Sequence, residues 1–368
     1  MIMTTSDPIR GSAGEVTARR AREAAQDWLT TTGVGIPGFS GAWMAGSVAW
    51  LPERANVPAW SDVDVMIALG DEAPPKIGKL RHQDVLLEIS FIAAREVTVE
   101  ALKANYRVAC SFVQGLILAD PSGELTRTQA ELGSTFWTAD AVCDRVRQAR
   151  TAAETGLTPA SMPDSRSQAW QTMWVFPAGL PTHMVLLGMG RNPTVRRRYE
   201  TAQAVFAQTG QLELYEDLLA ATGYGPLSRS AVIHHWEATS MLFDLAAPHS
   251  ALATSFFASD ISTVARPISI DGTRDSIERG FHREALFWLV ATQARSLAIL
   301  EEVAPNLITA SVTSQFLSLV NGVGIATPAD RAHRSAAILA LLPAIEAFSI
   351  DRIRASHPQS FSGTAPKR

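Results

Sequence analysis

Asp62 and Asp64 stand one residue apart at the head of the apolar run Val63-Asp64-Val65-Met66-Ile67-Ala68-Leu69. Such a run reads as a buried strand. Side chains alternate across a strand, so both carboxylates point to one face. Two like charges that close repel each other and are costly to bury unpaired. A divalent cation is the simplest remedy. Oxygen donors of this kind suit Mg²⁺, which keeps waters and substrate phosphates as its other ligands. A third acid, Glu88, interrupts the β-favouring run Val85-Leu86-Leu87-Glu88-Ile89-Ser90-Phe91-Ile92. Laid beside the first strand, it would bring three carboxylates to one or two metal ions. Such a centre binds nucleotide phosphates, stabilises charge on a leaving pyrophosphate and orients an attacking hydroxyl. Glu88 would then be a metal ligand, the general base, or both through a water. Either feature alone has a plainer meaning: a bare Asp-x-Asp is often a solvated strand end, and a lone Glu an edge-strand residue reaching solvent. The weight lies in the combination, and in the Gly46-Ser47 pair upstream. Gly46 would let backbone amides approach phosphate oxygens, and the Ser47 and Ser61 hydroxyls could donate to them.

The elements that must position these residues can be sketched from pattern. Glu15 to Thr31 has helical spacing, with Val16, Ala24, Trp28 and Leu29 near one face. Ala42 to Ala45 reads as a short strand entering Gly46-Ser47, and Glu96 to Tyr106 as a helix. Leu116 to Ala119 reads as a last strand, stopped by the turn Asp120-Pro121-Ser122-Gly123. Beyond about residue 125 strand patterns nearly vanish. Asn192-Pro193 predicts a helix start, with helix from Thr194 to Gln208. Ser228 to Leu245, Arg283 to Val303 and Pro328 to Ile350 are further helices, the last kinked at Pro343. The prolines between Gly156 and Ser165 predict an inter-helix loop. The expected fold class is α+β: a small mixed sheet with flanking helices over 15–130, then a larger all-helical domain over 131–354, with mobile tails at 1–14 and 355–368.

Composition sets outer bounds. Hydrophobic residues make up 46% of the 368 and charged residues 18%, which is a chain with a sizeable core rather than a disordered one. A net charge of −4 leaves no basic excess, so gripping a nucleic-acid backbone is not expected to be its main work. Cys110 and Cys143 lack metal-ligand spacing and suggest neither a disulfide framework nor a zinc site. No apolar run reaches membrane-spanning length and no signal core stands at residues 1–14. The expectation is a cytoplasmic protein without a membrane partner.

Gly46-Ser47, then Ser61-Asp62-Val63-Asp64-Val65, then Glu88 in an apolar strand, resembles the DNA polymerase β-type nucleotidyltransferase superfamily. Within it the pattern is most similar to the antibiotic-modifying nucleotidyltransferases, whose minimal catalytic domain is followed by a helical one. The segment Ile117 to Leu125 is similar to the strand and turn that close that catalytic domain. The resemblance covers roughly residues 15–130. It implies that Asp62 and Asp64 ligate Mg²⁺, that Glu88 is third ligand or base, and that Gly46 and Ser47 hold the triphosphate of an NTP, with ATP the expected co-substrate. The acceptor implied is a hydroxylated small molecule of aminoglycoside type. Two other readings stay open: an enzyme adding AMP to a protein partner, and a non-catalytic nucleotide-binding protein of the same fold. One departure is the fourteen-residue stretch Val48 to Ser61 between Gly46-Ser47 and Asp62, slightly longer than the family has. It would form either a loop over the nucleotide or a distortion of the phosphate cradle.

Other residues invite chemistry less strongly. Arg191, Arg196, Arg197 and Arg198 would be a phosphate clamp or a solvated basic face. His234-His235 lacks zinc-protease spacing and reads as one packed and one exposed histidine. His183 and His282 have no visible partner. Trp170 and Trp174 read as core. Asn321-Gly322-Val323-Gly324 reads as a helix end rather than a dinucleotide fingerprint, and no P-loop motif occurs.

Overall fold

The computed structural model describes residues 16–70, 72–158 and 167–357. The fold is α+β, with a five-stranded mixed sheet in the N-terminal region and a largely helical remainder. The strands are β1 (Val16–Thr17), β2 (Phe39–Ala45), β3 (Asn56–Val57), β4 (Val63–Leu69), β5 (Gly78–His82), β6 (Val85–Ala93) and β7 (Leu116–Ala119). The sheet order is β5-β6-β4-β2-β7, and β1 pairs with β3 in a separate ribbon. β4 and β6 run parallel; the other pairings in the sheet are antiparallel.

The period of two in β4 decides what each face does. Val63, Val65 and Ile67 are buried with Ala21, Ala25, Trp28 and Leu29 of helix α1 (Ala18–Thr31). Apolar residues three and four apart give α1 its single packing stripe, and the Thr17 hydroxyl caps its start by accepting from Arg20 N at 3.3 Å. Burying Trp28 and Leu29 contributes roughly 1.5–3 kcal/mol each. The opposite face takes the even-numbered residues of β4 and β6. Ala68 and Ile92 pack there with Trp43, under Phe112 of α3 (Tyr106–Val113) and Leu125 of α4 (Glu124–Phe136). Trp43 and Phe112 meet edge to face, centroids 5.0 Å apart. Towards the start of β4 this face turns from apolar to acidic.

Two expected helices are reorganised. Glu96 to Tyr106 is not one helix: it divides into a 3-10 turn at Ala94–Val97, α2 (Val99–Lys103) and α3. Thr98 and Asn105 are both cap formers, and each starts its own helix by accepting from Ala101 N and Val108 N. The helix expected from Thr194 begins only at Arg198. The carbonyls of Thr194 and Val195 are taken by the side chains of His183 and Arg198, at 3.2 and 2.9 Å, instead of by helical amides. The turn at Asp120 is as expected, with its carboxylate accepting from Leu125 N and Thr126 N.

α4 spans residue 130, and α5 (Ala139–Gly156) follows. The remaining longer helices are Pro181–Gly188, Arg198–Gln208, Leu212–Thr222, Arg229–Ala246, His282–Val303, Ala310–Gly322 and Pro328–Ser356. His282–Val303 is buried from Ala285 to Leu300 except at the partly buried Trp288, and forms the axis of this region. Pro328–Ser356 carries Pro343 inside it and extends past residue 354, so Ala355 and Ser356, expected in a tail, are helical. Residues 1–14, 358–368 and most of the loop expected at 156–165 lie outside the described residues. Among the described residues no helix is long and apolar enough to cross a membrane.

Candidate metal centre between the sheet and the helical region

The parallel register of β4 and β6 sets Asp64 directly beside Glu88. Asp62 lies just ahead of the strand, two residues from Asp64 and on the same face. One oxygen from each of Asp62, Asp64 and Glu88 can be chosen so that all lie within 4.8 Å of one another. The three acids singled out in the sequence therefore converge, and they do so on the face turned away from α1.

Gly46 follows β2 immediately after Ala45, which is paired with Asp64. Its φ of 71° is one that L side chains rarely adopt, and a Cβ there would stand 2.3 Å from Asp64 Oδ2. The glycine thus lets the Gly46-Ser47 turn close over the acid. Ser47 opens a 3-10 turn (Ser47–Ala49) and is exposed; Ser61 is partly buried, its amide bonded to Pro58 O at 2.9 Å. Neither serine hydroxyl has a hydrogen-bond partner among the described residues.

The stretch Val48 to Ser61 is not a free loop. It pairs through β3 with β1, accepts from Ala18 N and Arg19 N, and its Val48 and Leu51 carbonyls accept from the Arg22 guanidinium. Its far end carries Trp60 to the helical region, where Gly272 is close packed. A Cβ on Gly272 would meet Arg196 Nη1 at 1.6 Å and Trp60 Cδ1 at 3.1 Å.

The sequence reading missed the cations. β5 and β6 form a hairpin whose two-residue loop, Gln83-Asp84, has positive φ at both positions. Counting outward from that loop pairs His82 with Val85 and Lys79 with Glu88. The Lys79 ammonium lies 3.2 Å from Asp62 Oδ2, hydrogen-bonds Glu88 Oε2 and reaches Asp260 Oδ1 at 3.3 Å. Lys76 bonds Glu88 Oε1 at 2.7 Å and Asp260 Oδ1 at 3.1 Å. Asp260 belongs to the helical region, on the turn Ala258–Ile261, and its other oxygen receives Arg295 Nη1 at 3.1 Å. Gly78, with φ 79°, permits this contact; a Cβ there would lie 2.2 Å from Ser259. The readable signal was the hairpin loop, whose register places a lysine opposite the glutamate.

Charge is shared unevenly. Burial works to raise the Glu88 carboxyl, but Lys79 and Lys76 overcome it and hold the group at about 2. Burial raises Asp62, with Lys79 opposing. Asp64 is pushed well above the ordinary carboxylate range by burial and then by Asp62 and Glu88. It has no hydrogen-bond or ion-pair partner among the described residues. Burial lowers Lys79 less than Asp62, Glu88 and Asp260 raise it, so its ammonium stays charged. Of the four clustered arginines only Arg196 points this way: burial lowers it, Asp62 raises it, and Nη1 donates to Ile268 O at 3.2 Å. Arg191 bonds Gln208, Arg197 pairs with Glu200, and Arg198 is buried over Phe287.

Other expectations resolve as structure. His235 is buried and His234 exposed; Trp174 is core, with Trp170 packed against it; the Asn321 to Gly324 segment ends the helix Ala310–Gly322. His183 is buried and paired with Tyr106. No family model matches this chain, and comparison with curated proteins finds no similar one.

Proposed function

We propose that this chain is a Mg²⁺-dependent nucleotidyltransferase of the polymerase β type, moving a nucleoside monophosphate from an NTP, ATP being the expected one, to a hydroxyl of a small molecule. The observation that supports this most is the meeting of Asp62, Asp64 and Glu88 with Asp64 left without a cation of its own. A site built only for stability would pair that carboxylate or replace it. The donor set is all oxygen and suits Mg²⁺, which when bound offsets charge on the transferring phosphoryl group and on the pyrophosphate.

Asp62 and Asp64 would be the ligands from one strand and Glu88 the ligand from its neighbour. A carboxyl held at about 2 is a weak base, which favours the ligand role for Glu88 over proton abstraction. The Gly46-Ser47 turn and the Ser61 hydroxyl border the acids and would meet phosphate oxygens. Arg196 and Asp260 from the helical side, and Trp60 from the end of the Val48 to Ser61 stretch, would face the acceptor. In the transfer the acceptor oxygen bonds the α-phosphorus as the bridge to the β-phosphate breaks. Pyrophosphate leaves with that electron pair, and the hydroxyl proton passes to solvent.

The test is incubation of purified protein with Mg²⁺, each labelled NTP and a panel of hydroxylated acceptors, scoring pyrophosphate release. Release that needs an acceptor and is lost in Asp64→Asn is the expected result. Normal turnover by Asp64→Asn would overturn the assignment.

A further inference from the structure

We propose that Lys76 and Lys79 are exchangeable counter-ions: they neutralise the carboxylates while the site lacks metal, and they hold the triphosphate once metal takes the carboxylates. This rests on the metal-site reading above and assigns a role to two residues outside its acid set.

Three observations carry it. Lys79 is inside the cage rather than at its rim: its side chain is 7% exposed, and its single ammonium touches Asp62, Glu88 and Asp260 together. An ammonium and a dication cannot share those oxygens, because both need the same lone pairs and they repel at close range. Lys76 repeats the pattern on the other side, bridging Glu88 Oε1 to Asp260 Oδ1. Glu88 and Asp260 are thus joined through ammonium groups. Lastly, the lysines can move while their surroundings stay. β5 is the edge strand of the sheet, and lysine is a flexible stem with a point charge. Asp260 keeps Arg295 when the lysines leave, so the helical side still has a neutralising partner.

The direction in which they would swing follows from charge. A triphosphate adds negative charge beside three carboxylates, and Mg²⁺ offsets only part of it. The ammonium groups expelled by the metal are the nearest cations, and charge-assisted bonds to phosphate oxygens are among the stronger hydrogen bonds in proteins.

The test uses full-length protein and two base-independent probes: Mn²⁺ alone, followed by electron paramagnetic resonance, and inorganic triphosphate with Mg²⁺, followed by calorimetry. Wild type is compared with Lys79→Met, Lys76→Met, Lys79→Arg and Asp64→Asn, each first checked for cooperative unfolding. Lys79→Met is expected to bind Mn²⁺ roughly tenfold tighter and magnesium triphosphate roughly tenfold weaker, the loss of one charged hydrogen bond. Lys76→Met shifts both the same way by less, and Lys79→Arg stays near wild type in Mn²⁺ affinity. Unchanged or weaker Mn²⁺ binding in Lys79→Met overturns the counter-ion role. Unchanged triphosphate binding overturns the phosphate role. Failure of the underlying reading looks different: wild type and both methionine variants would all fail to bind Mn²⁺, or Asp64→Asn would bind it as wild type does.

Discussion

Two carboxylates of this molecule, Asp64 on the sheet and Glu200 in the helical region, are set on opposite principles. Around Glu200 every charge is answered: Ser276 Oγ donates to one oxygen, Arg197 Nε and Arg279 Nη2 to the other at 3.0 and 2.9 Å. Burial raises that carboxyl, and Ser276 with the two arginines more than reverses the effect, leaving it below its ordinary range. Around Asp64 the opposite holds: burial and two neighbouring acids push the group up, and Lys79 and Lys76, which oppose them from a distance without pairing with it, do not reverse the effect. The first arrangement is what stability requires of a buried acid. The second is unfavourable in the metal-free protein and makes sense as a place prepared for something positive.

The comparison breaks most sharply under paired substitutions. Asp64→Asn should cut nucleotidyl transfer by at least about a thousandfold, some 4 kcal/mol of barrier, in a pyrophosphate-release assay. It should raise the melting temperature of the metal-free protein, because a strained charge is removed. Glu200→Gln should do the reverse. It leaves Arg279 without its buried partner and should lose roughly 2–3 kcal/mol in urea unfolding, the lower figure reflecting the 56% exposure of the Arg197 side chain. Transfer should stay near wild type. Equal destabilisation by both substitutions would erase the distinction.

Gly46→Ala sharpens the picture of the acid side. The Gly46 backbone, at φ 71° and ψ −176°, is reached essentially by glycine alone and costs an alanine roughly 1–3 kcal/mol, and its methyl would meet Asp64 Oδ2. Loss of about tenfold in transfer with this modest destabilisation is expected, and kinetics beside a melting curve checks it.

A smaller effect concerns His183, a satisfied interior group like Glu200. Nε2 donates to Thr194 O at 3.2 Å, so Nδ1 accepts from the Tyr106 hydroxyl at 2.9 Å. Burial first, then Arg198 and Arg107, push the ring well below the ordinary histidine value of 6.5. Below that value the unfolded chain takes up a proton that the folded one refuses. Stability is therefore full above about pH 6.5 and is lost as pH falls beneath it. His183→Gln should flatten that loss between pH 7 and 5 in a denaturation series.

What could be read from the sequence follows the range of the interactions involved. The β4 alternation, the Asp-x-Asp pair and the Asp120 turn are local, and the structure keeps them. The convergence of Glu88 needed only that two apolar strands be neighbours. Lys79 was one step harder, since its position depends on recognising Gln83-Asp84 as a tight hairpin loop without a glycine. Asp260, Arg295 and Arg196 were out of reach. They come from segments far along the chain and meet the sheet region at the close approaches of Gly78 and Gly272 and through the ion pairs of Lys76 and Lys79 with Asp260. The late start of the helix at Arg198 was hidden in part for a similar reason: His183, from an earlier helix, took the Thr194 carbonyl, while Arg198 itself folded back on Val195 O.

The most direct trial of the account is thermal unfolding of wild type and Asp64→Asn, each with and without millimolar Mg²⁺. A ligand that binds only the folded state raises its melting point. Wild type should melt below the variant without metal and rise when Mg²⁺ is added, while Asp64→Asn should not respond. Identical responses of the two proteins to Mg²⁺ would contradict the account.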